Sequence, residues 1–475
     1  MKTEIAIIGA GTAGLSAYRQ ARKRTDSVLL IEGGPGGTTC ARAGCMPSKL
    51  LIAAADAAHA VREADVFGVR TEPPRIDGAA VMGRVREERD RFVRLTLEDI
   101  EAFPARHRIS AHARFVDDHR LRLDDGRELE AERIIIATGS SPSIPEPWRA
   151  LGDRLVANEQ VFEWRSLPES VAVVGTGVIG LELGQALHRL GVRVRLFDKG
   201  RSVGLLKDQA VIDYALRLFE DEMPWSAESE LETPQRDGDQ VLLRWTQGGQ
   251  SHQERFDYLL AATGRRPNVW QLGLENTGLK LDKHGVPEFD RQTLRCSLDH
   301  IFIAGDADGE LPLLHEAADD GRFAGLNAGR YPEVRRYPRR AGLQILFSDP
   351  QIAVVGAGSA VLEAAGRPYR EASLSFENQG RSRVINRNRG FAKLYGCPHS
   401  GRFLGAELVA PNAEHLAHLL AWSVQQKLKV STMLDMPFYH PVIEEGLRSG
   451  LRSLLRSMQM GAEPVPGCMD CGPGG

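Results

Sequence analysis

Two cysteines separated by four residues occur near the N-terminus, in the segment Cys40-Ala-Arg-Ala-Gly-Cys45-Met-Pro47-Ser-Lys49. This spacing brings two sulfurs within disulfide distance if Cys40 lies in a loop and Cys45 begins a helix. Pro47 is compatible with a first helical turn, and the helix dipole together with Lys49 favours a thiolate at Cys45. The segment therefore predicts a redox-active dithiol, and the alternative is two buried cysteines that never meet.

A dinucleotide-binding signature precedes the dithiol. Its parts are a strand, a glycine loop, a helix and a second strand ending in an acid, over residues 4–8, Gly9 with Gly11 and Gly14, residues 15–23, and residues 28–31 with Glu32. The first glycine permits a tight turn, the second lets the backbone approach a pyrophosphate, and the third lets the helix pack on the strand. The acid can accept a hydrogen bond from a ribose hydroxyl. An ordinary βαβ turn is the alternative.

The same signature occurs a second time, over residues 171–174, Gly175 with Gly177 and Gly180, a helix through Leu190, and residues 192–197 with Asp198. Two copies imply two bound dinucleotides, and electron transfer between two dinucleotides suggests a flavin and a nicotinamide. The carboxylate of Asp198 favours NAD over NADP because it repels a 2′-phosphate, although Lys199 and Arg201 can offset that repulsion.

Three further apolar strands end in residues suited to contact a nucleotide. They are residues 134–140, ending in Thr138-Gly139-Ser140, residues 259–265, with Gly264, and residues 301–306, ending in Asp306. We expect the first two to occupy equivalent positions in two halves of the chain, because their sequences are alike. Two roles stay open for Asp306, which can bind the ribityl chain of a flavin or cap the helix that begins near Leu313.

The order of these motifs resembles that of the flavin disulfide reductases, the group that contains dihydrolipoamide dehydrogenase, glutathione reductase and mercuric reductase. The likeness extends over residues 3–460, and Cys45-Met-Pro-Ser-Lys49, Val178 and Asp198 are similar to dihydrolipoamide dehydrogenases rather than glutathione reductases. It implies an α/β fold with two Rossmann-like dinucleotide-binding domains and a C-terminal α+β dimerisation domain. The expected ranges are 1–147 with 265–335 for the FAD-binding domain, 148–264 for the NAD-binding domain, 336–462 for the dimerisation domain and 463–475 for a flexible tail.

The resemblance also implies roles for residues around the dithiol. Cys45 is expected to be the thiolate next to the flavin, and Cys40 the sulfur that exchanges with substrate. Lys49 and Glu182 are expected to form an ion pair beside the flavin ring. Beyond the two signatures, the expected cofactor contacts are Gly37, Thr39, Lys49, Ala113, Thr138, Gly139, Ser140, Gly264, Asp306 and Leu314.

A histidine and a glutamate near the C-terminus, His440 and Glu445, complete the expected catalytic set. The resemblance implies that His440 is a general base oriented by Glu445, and that it serves the dithiol of the other subunit of a homodimer. Dithiol exchange needs such a base, because a substrate thiol must lose its proton before it attacks a disulfide. Taken alone, a histidine before proline is more often a surface or capping residue.

Several features depart from the usual pattern of the group and leave the substrate open. The segment Gly-Thr-Thr before Cys40 is unusual, as are Ala-Arg-Ala-Gly after it and the tyrosine before His440. Arg42 can meet an anionic substrate or be an exposed residue without such a role. The tail contains Cys468 and Cys471, which either relay electrons to a bulky substrate or are incidental thiols.

The overall charge and hydropathy exclude other classes of partner. The chain of 475 residues has 60 basic and 63 acidic residues and a net charge of −3, so we expect no nucleic acid or anionic membrane as partner. The first apolar run begins at Ile5 and breaks at Gly9, which predicts a cytoplasmic protein without a secretory signal. Residues 335–340 are expected to form a solvated linker, and residues 87–101 a surface helix.

These observations favour a dihydrolipoamide dehydrogenase-like flavoenzyme that transfers electrons between a dithiol, expected to be a lipoyl group, and NAD through FAD. The alternative is an NAD(P)H-dependent reductase of another disulfide or of a metal ion. A flavoprotein that served only as a binding subunit would be expected to lack Cys40, Cys45 or His440, and all three are present.

Overall fold

The computed structural model of the protein describes residues 1–459, so the predicted tail with Cys468 and Cys471 lies outside the described residues. The first 147 residues contain the elements β1 Lys2–Ile8, α1 Thr12–Ala21, β2 Val28–Glu32, α2 Thr39–Ala43, α3 Cys45–Arg62, α4 Gly78–Glu101, β3 Arg108–Ser110, β4 Ala113–Phe115, β5 Arg120–Leu123, β6 Glu128–Ile136 and β7 Ser140–Pro142.

The next part of the chain contains a second set of strands and helices. These are β8 Leu155–Val156, α5 Asn158–Val161, β9 Ser170–Val174, α6 Val178–Arg189, β10 Arg193–Phe197, α7 Gln209–Glu222, β11 Trp225–Ser226, β12 Glu230–Leu231, β13 Gln235–Asp237, β14 Gln240–Gln247, β15 Gln250–Phe256, β16 Tyr258–Ala261 and β17 Arg265–Pro267.

The remaining elements return to the first sheet and then form a third unit. They are β18 Ile301–Ile303, α8 Leu314–Ala328, β19 Leu343–Leu346, β20 Gln351–Gly356, α9 Ser359–Ala364, β21 Arg370–Ser375, α10 Gly380–Val384, β22 Phe391–Gly396, β23 Phe403–Ala410, α11 Ala413–Gln425, α12 Val430–Leu434 and α13 Glu445–Ser457.

Two parallel sheets form the centres of the two nucleotide-binding units. In the first, β3, β2, β1, β6 and β18 run parallel, and β5 and β4 continue from β6 as antiparallel strands. The second has the parallel order β11-β10-β9-β16-β8. Because helices cover such sheets on both faces, the buried segments of their strands are apolar, as the isoleucine runs of β1, β6 and β18 illustrate.

The C-terminal unit is built differently. Its five strands form an antiparallel sheet in the order β19-β20-β23-β22-β21, and α11 and α13 pack against this sheet. The observed fold confirms the predicted α/β class with two dinucleotide-binding units and a C-terminal α+β unit. Within residues 1–459, no helix is both long enough and apolar enough to cross a membrane.

Two predicted helices differ from the structure. The first signature helix covers residues 12–21 rather than 15–23, because it begins directly after Gly11. The predicted surface helix 87–101 is the second half of α4, which begins at Gly78 after an N-terminal cap by Asp77. Its residues Met82, Val85 and Val93 are buried, so α4 packs on the protein core along one face.

The prediction of a solvated linker at 335–340 is wrong at Arg339. This side chain is only 17% exposed and forms ion pairs with Glu316 and Asp320 of α8, both of which are buried. The linker is therefore bound to α8 through the ion pairs of Arg339. Buried carboxylates require a counter-charge, and the sequence pattern did not show that α8 directs its acids inward.

We expect Arg339→Leu to lower the free energy of unfolding by about 3–5 kcal/mol, because it removes the shared counter-charge of two buried carboxylates, leaving Glu316 with Arg291 at 3.6 Å and Asp320 with the N–H of Gly305 at 3.3 Å. The matched control is Arg336→Leu, which removes an ion pair between Asp290 and an arginine that is 70% exposed. That control should cost at most about 1 kcal/mol. Urea denaturation measures the free energy of unfolding of both variants, and equal losses would contradict a stabilising role for the Arg339 ion pairs.

Candidate active site

The two glycine loops have the same geometry. Gly9 and Gly175 have φ angles of +105° and +104°. A Cβ atom on Gly14 or Gly180 would lie 1.8 Å from the carbonyl oxygen of that first glycine, so only glycine allows the helix to pack there. A Cβ on the middle glycine of either loop would meet no atom within 4 Å. The loops therefore leave open space at the helix N-terminus, where a pyrophosphate fits.

Each signature strand ends in an acid that binds a neighbouring loop. Glu32 accepts hydrogen bonds from the backbone N–H of Ala10 at 2.7 Å and of Gly34 at 2.8 Å. Asp198 accepts from the backbone N–H and the hydroxyl of Ser202, at 2.8 and 2.7 Å. A carboxylate has about four lone-pair sites, so both acids retain capacity for ribose hydroxyls.

A cavity of about 1090 Å³ follows the first glycine loop. Eight predicted flavin contacts line it: Gly9, Gly11, Glu32, Thr39, Ala113, Thr138, Gly139 and Ser140. Five others are not among the residues that line it: Gly14, Gly37, Lys49, Asp306 and Leu314. Its size and its polar backbone groups fit a dinucleotide of the dimensions of FAD.

Asp306 does not cap a helix, so the capping alternative is wrong. It lies in a single 3₁₀ turn, and α8 begins at Leu314 without a side-chain cap. Its carboxylate instead accepts a hydrogen bond from the hydroxyl of Ser140 at 2.8 Å, and that hydroxyl accepts from Arg265 at 2.8 Å. The ends of the three β-strands that were predicted to contact a nucleotide are thus joined by hydrogen bonds.

Sequence reasoning missed Asn268 on the wall of this cavity and left the role of Arg42, on the same wall, open. Asn268 donates to the carbonyl of Thr138 at 3.1 Å and through its backbone N–H to Gly139 at 2.9 Å, which fixes the turn between them. Arg42 donates to the carbonyls of Gly36 and Pro35 at 3.0 and 3.2 Å. The Thr138 carbonyl lies 130 residues from Asn268, so no local pattern predicted the position of Asn268, whereas Arg42 binds carbonyls six and seven residues before it.

The dithiol lies at a break between two helices. Cys40 was expected in a loop, but it lies inside the short helix α2, which Thr38 caps through the backbone N–H of Ala41. Gly44 then departs from helical geometry, with φ −123° and ψ −115°, and Cys45 begins α3 as predicted. The glycine provides the change of direction that the predicted loop was meant to provide.

The pKa values of the two thiols are shifted in opposite directions. A hydrogen bond from the Cys40 thiol lowers the pKa of Cys45 to about 7, and the charge of Lys49 contributes in the same direction. The same contact and burial raise the pKa of Cys40. Cys45 is therefore the thiolate of the pair near neutral pH, and Cys40 retains its proton.

Lys49 and Glu182 are brought together as predicted. The ammonium lies 2.8 and 2.7 Å from the two carboxylate oxygens, and Glu182 is buried. Glu182 also accepts the backbone N–H of Phe347 at 3.0 Å, and the Lys49 nitrogen lies 4.6 Å from the centre of the Phe347 ring. These contacts connect α3, α6 and the loop after β19.

His440 and Glu445 also form the predicted pair. The His440 Nδ1 lies 3.0 and 3.1 Å from the two oxygens of Glu445, which is 2% exposed and also accepts the backbone N–H of Val442. A carboxylate only accepts, so Nδ1 carries the proton and Nε2 has the free lone pair of the neutral ring. The His440 side chain is 60% exposed, which makes this lone pair accessible.

Among residues 1–459, the imidazole and carboxylate atoms of Asp118, His119 and His300 converge to within 4.8 Å. The two rings stack with an angle of 11° between their planes, and each donates a ring N–H to a backbone carbonyl, His119 to Ala131 and His300 to Asp118. Parallel rings cannot direct two in-plane lone pairs at one ion, so we assign these residues a structural role joining β5 to β18.

The chain matches known families over most of its length. Residues 3–321 match the family described as pyridine nucleotide-disulphide oxidoreductase, and residues 343–450 match the dimerisation domain of that family. The mercuric reductase of Shigella flexneri is 32% identical, over 94% of this chain and 79% of the relative. The dihydrolipoyl dehydrogenase of Geobacillus stearothermophilus is 28% identical, over 94% of each chain.

Solved structures show the same fold. LpdA from Mycobacterium tuberculosis has a TM-score of 0.81 at 26% identity and covers 95% of this chain and 99% of its own. The Cu(II) complex of the HOCl-induced flavoprotein disulfide reductase RclA from Escherichia coli has a TM-score of 0.80 at 24% identity, with the same coverage.

We expect Cys40→Ala to raise the pKa of Cys45 from about 7 toward the ordinary thiol value of about 8.5, because the hydrogen-bond donor is lost. The ultraviolet absorbance of the thiolate in the reduced protein, taken as a difference from Cys45→Ser, measures the titration. Cys296→Ala, which removes a buried thiol with a raised pKa, is the matched control and should leave the curve unchanged. An unmoved midpoint in Cys40→Ala would refute the assignment of Cys45.

Proposed function

The chain belongs to the pyridine nucleotide-disulphide oxidoreductase family, and we propose that it transfers electrons reversibly between dihydrolipoamide or a similar dithiol and NAD, through FAD and the Cys40–Cys45 pair. The observation that carries this choice of substrate is the His440–Glu445 pair with its accessible Nε2. A dithiol must lose a proton to react, whereas the reduction of a bound metal ion requires no such base.

The residues around the large cavity fit FAD, since Gly11 leaves room for a pyrophosphate and Glu32 keeps lone pairs for a ribose. When bound, FAD exchanges two electrons with the dithiol on one side and with the nicotinamide on the other. The second glycine loop and Asp198 provide the nicotinamide dinucleotide site of this proposal. The chain itself provides the thiols, the base and the ion pair.

The proposed exchange begins with Cys40 and Cys45 joined in a disulfide. One substrate thiol gives its proton to Nε2 of His440 and attacks the Cys40 sulfur, and the disulfide breaks as Cys45 leaves as a thiolate. The second substrate thiol then attacks its partner sulfur in the mixed disulfide, Cys40 leaves and takes up the proton of that second thiol, and the first proton remains on His440. The substrate is oxidised to a disulfide, and the cysteine pair is reduced by two electrons. The charge of Lys49, which lowers the pKa of Cys45, also stabilises the departing Cys45 thiolate.

The matched dimerisation domain indicates a homodimer. We propose that His440 of the partner subunit serves the dithiol of each chain, which agrees with the exposure of its ring on a buried carboxylate. Lys49 and Glu182 are proposed to lie beside the flavin ring, because Lys49 follows Cys45 by one helical turn.

Reduction of mercuric ion is the second candidate. The identity of 32% to the mercuric reductase of Shigella flexneri favours it, as does the capacity of a thiolate such as Cys45 to bind a soft metal ion. This reaction predicts turnover that does not depend on His440, because no substrate proton must be removed. The two candidates therefore differ in their dependence on one side chain.

NAD is proposed as the nicotinamide rather than NADP. Arg201, which can offset the charge of Asp198, is itself paired with Asp213 at 3.2 Å and with Glu228 at 3.7 Å. These two acids neutralise its guanidinium. The carboxylate of Asp198 thus retains its repulsion toward a 2′-phosphate, which the neighbouring exposed Lys199 opposes in part.

We expect oxidation of dihydrolipoamide by NAD to exceed reduction of glutathione disulfide or mercuric ion in steady-state assays. His440→Ala should lower it by about 10²- to 10⁴-fold, because the base is lost, with NADH oxidation by an artificial acceptor changed less than about twofold. His415→Ala, which removes an exposed histidine of α11, is the matched control. Equal loss of both activities in His440→Ala, or faster turnover of mercuric ion, would contradict the proposal.

We expect NADH to be preferred, and Asp198→Asn to raise kcat/KM for NADPH about tenfold relative to NADH, because the repulsive charge is removed. The amide oxygen still accepts from Ser202, so the loop keeps its shape. The matched control is Asp282→Asn, which removes an acid that also accepts backbone N–H groups of a loop, those of His284 and Val286. It should change kcat/KM for neither NADH nor NADPH. A wild-type preference for NADPH would refute the assignment.

A further inference from the structure

One face of α6 is fastened to a short loop of the dimerisation unit. Glu182, Gln185 and Arg189 follow one another by three and four residues, so they lie along a single stripe of the helix. All three are buried, and all three contact the loop 347–349 between β19 and β20. The stripe begins at the residue that binds Lys49.

Gln185 binds the loop through two reciprocal hydrogen bonds. Its amide nitrogen donates to the carbonyl of Asp349 at 2.9 Å, and its amide oxygen accepts the backbone N–H of Asp349 at 2.8 Å. A primary amide is the neutral side-chain group that can both donate and accept at one backbone residue. Leucine can do neither, and an ionised glutamate can only accept.

The same loop supplies the contacts of the Lys49–Glu182 pair. Phe347 lies two residues before Asp349, donates its N–H to Glu182 at 3.0 Å and places its ring 4.6 Å from the Lys49 nitrogen. A loop this short cannot shift at Asp349 without also moving Phe347. Gln185 therefore fixes the position of Phe347 relative to the Lys49–Glu182 ion pair.

Charged groups surround the amide and fix its orientation. The Gln185 nitrogen also donates to Glu222 at 2.9 Å, and Arg189 lies 2.6 Å from Glu222 and 3.0 Å from the Asp349 carboxylate. Arg189 and Arg387 hold the pKa of Asp349 low despite its burial. In the flipped orientation the amide oxygen would face the Glu222 carboxylate, so the amide has one orientation that satisfies all of its partners.

We propose that Gln185 is a positioning residue of the redox site, which holds Phe347 against the Lys49–Glu182 pair and thereby sets the distance of the Lys49 ammonium from the Cys45 sulfur. This role rests on the proposed function, in which Cys45 is the thiolate beside the flavin. The groups that face Cys45 are Cys40, Lys49 and Glu182. Gln185 touches none of the reacting atoms and acts through the loop.

The test is a pH titration of the FAD-loaded protein after reduction by two electrons. The long-wavelength absorbance of a thiolate next to an oxidised flavin reports the fraction of Cys45 that is ionised. In Gln185→Leu, we expect its midpoint to rise by about 0.5–1 pH unit, because Lys49 is no longer held near the thiolate. We expect kcat for the dithiol to fall about fivefold to tenfold, with KM changed less than about twofold.

The matched control is Asn327→Leu. Asn327 is buried in α8, and its amide binds the backbone of Arg335 by the same reciprocal pair of hydrogen bonds, both of 2.9 Å. Its removal should lower stability in urea without moving the midpoint. Gln185→Met is a second variant, because it is uncharged, similar in length and equally unable to donate or accept at Asp349, and it should move the midpoint by a similar amount in the same direction.

The outcomes separate this inference from the function on which it rests. A rise of the midpoint in both Gln185 variants, with none in Asn327→Leu, supports the positioning role. An unchanged midpoint in the Gln185 variants, beside normal absorbance in the wild type, would overturn it and leave the proposed function standing. A wild-type protein that binds FAD but shows no such absorbance would overturn both.

Discussion

The ion pair between Lys49 and Glu182 is the contact on which the arrangement of the redox site depends. It joins the helix that begins at Cys45 to the helix of the second glycine loop, across 133 residues of sequence. A buried carboxylate is stable only when its oxygens are satisfied, and Glu182 meets this requirement with Lys49 and with the N–H of Phe347. The site therefore forms only when three parts of the chain dock together.

The two nucleotide-binding units meet the same physical requirement in the same way. Each glycine loop places a helix N-terminus against open space, and each second strand ends in an acid that braces the adjacent loop. What differs is the surroundings. The first loop opens on a large cavity close to the dithiol helices, whereas the second is flanked by Asp198 and an arginine already neutralised by two acids. The difference in function thus arises from neighbours and not from the loops.

The features that could be predicted from the sequence are those set by local chemistry. The glycine loops, the terminal acids and the helix start at Cys45 follow from residues a few positions apart, and the structure confirms their geometry. The surroundings of Arg339 and Asp306 could not be predicted, because their partners are distant in sequence. Arg339 was expected to be solvated because its acids lie on α8, and two roles stayed open for Asp306 because its hydrogen-bond donor, Ser140, is 166 residues away. Gln185 gave no signal at all, since its role depends on the carbonyl and N–H of one distant backbone residue.

The His440–Glu445 pair combines a buried carboxylate with an exposed ring. Glu445 is almost fully buried and bound by a backbone N–H, whereas the ring that it orients projects into solvent with its Nε2 free. A buried carboxylate that binds Nδ1 restricts the motion of the imidazole. It also leaves Nε2 as the nitrogen that can exchange a proton with a substrate. Within one chain the thiols and this base belong to different units, and the base lies in the unit matched to a dimerisation domain. The surface that joins two copies of the chain is thus, in the proposed mechanism, also the surface that completes the site.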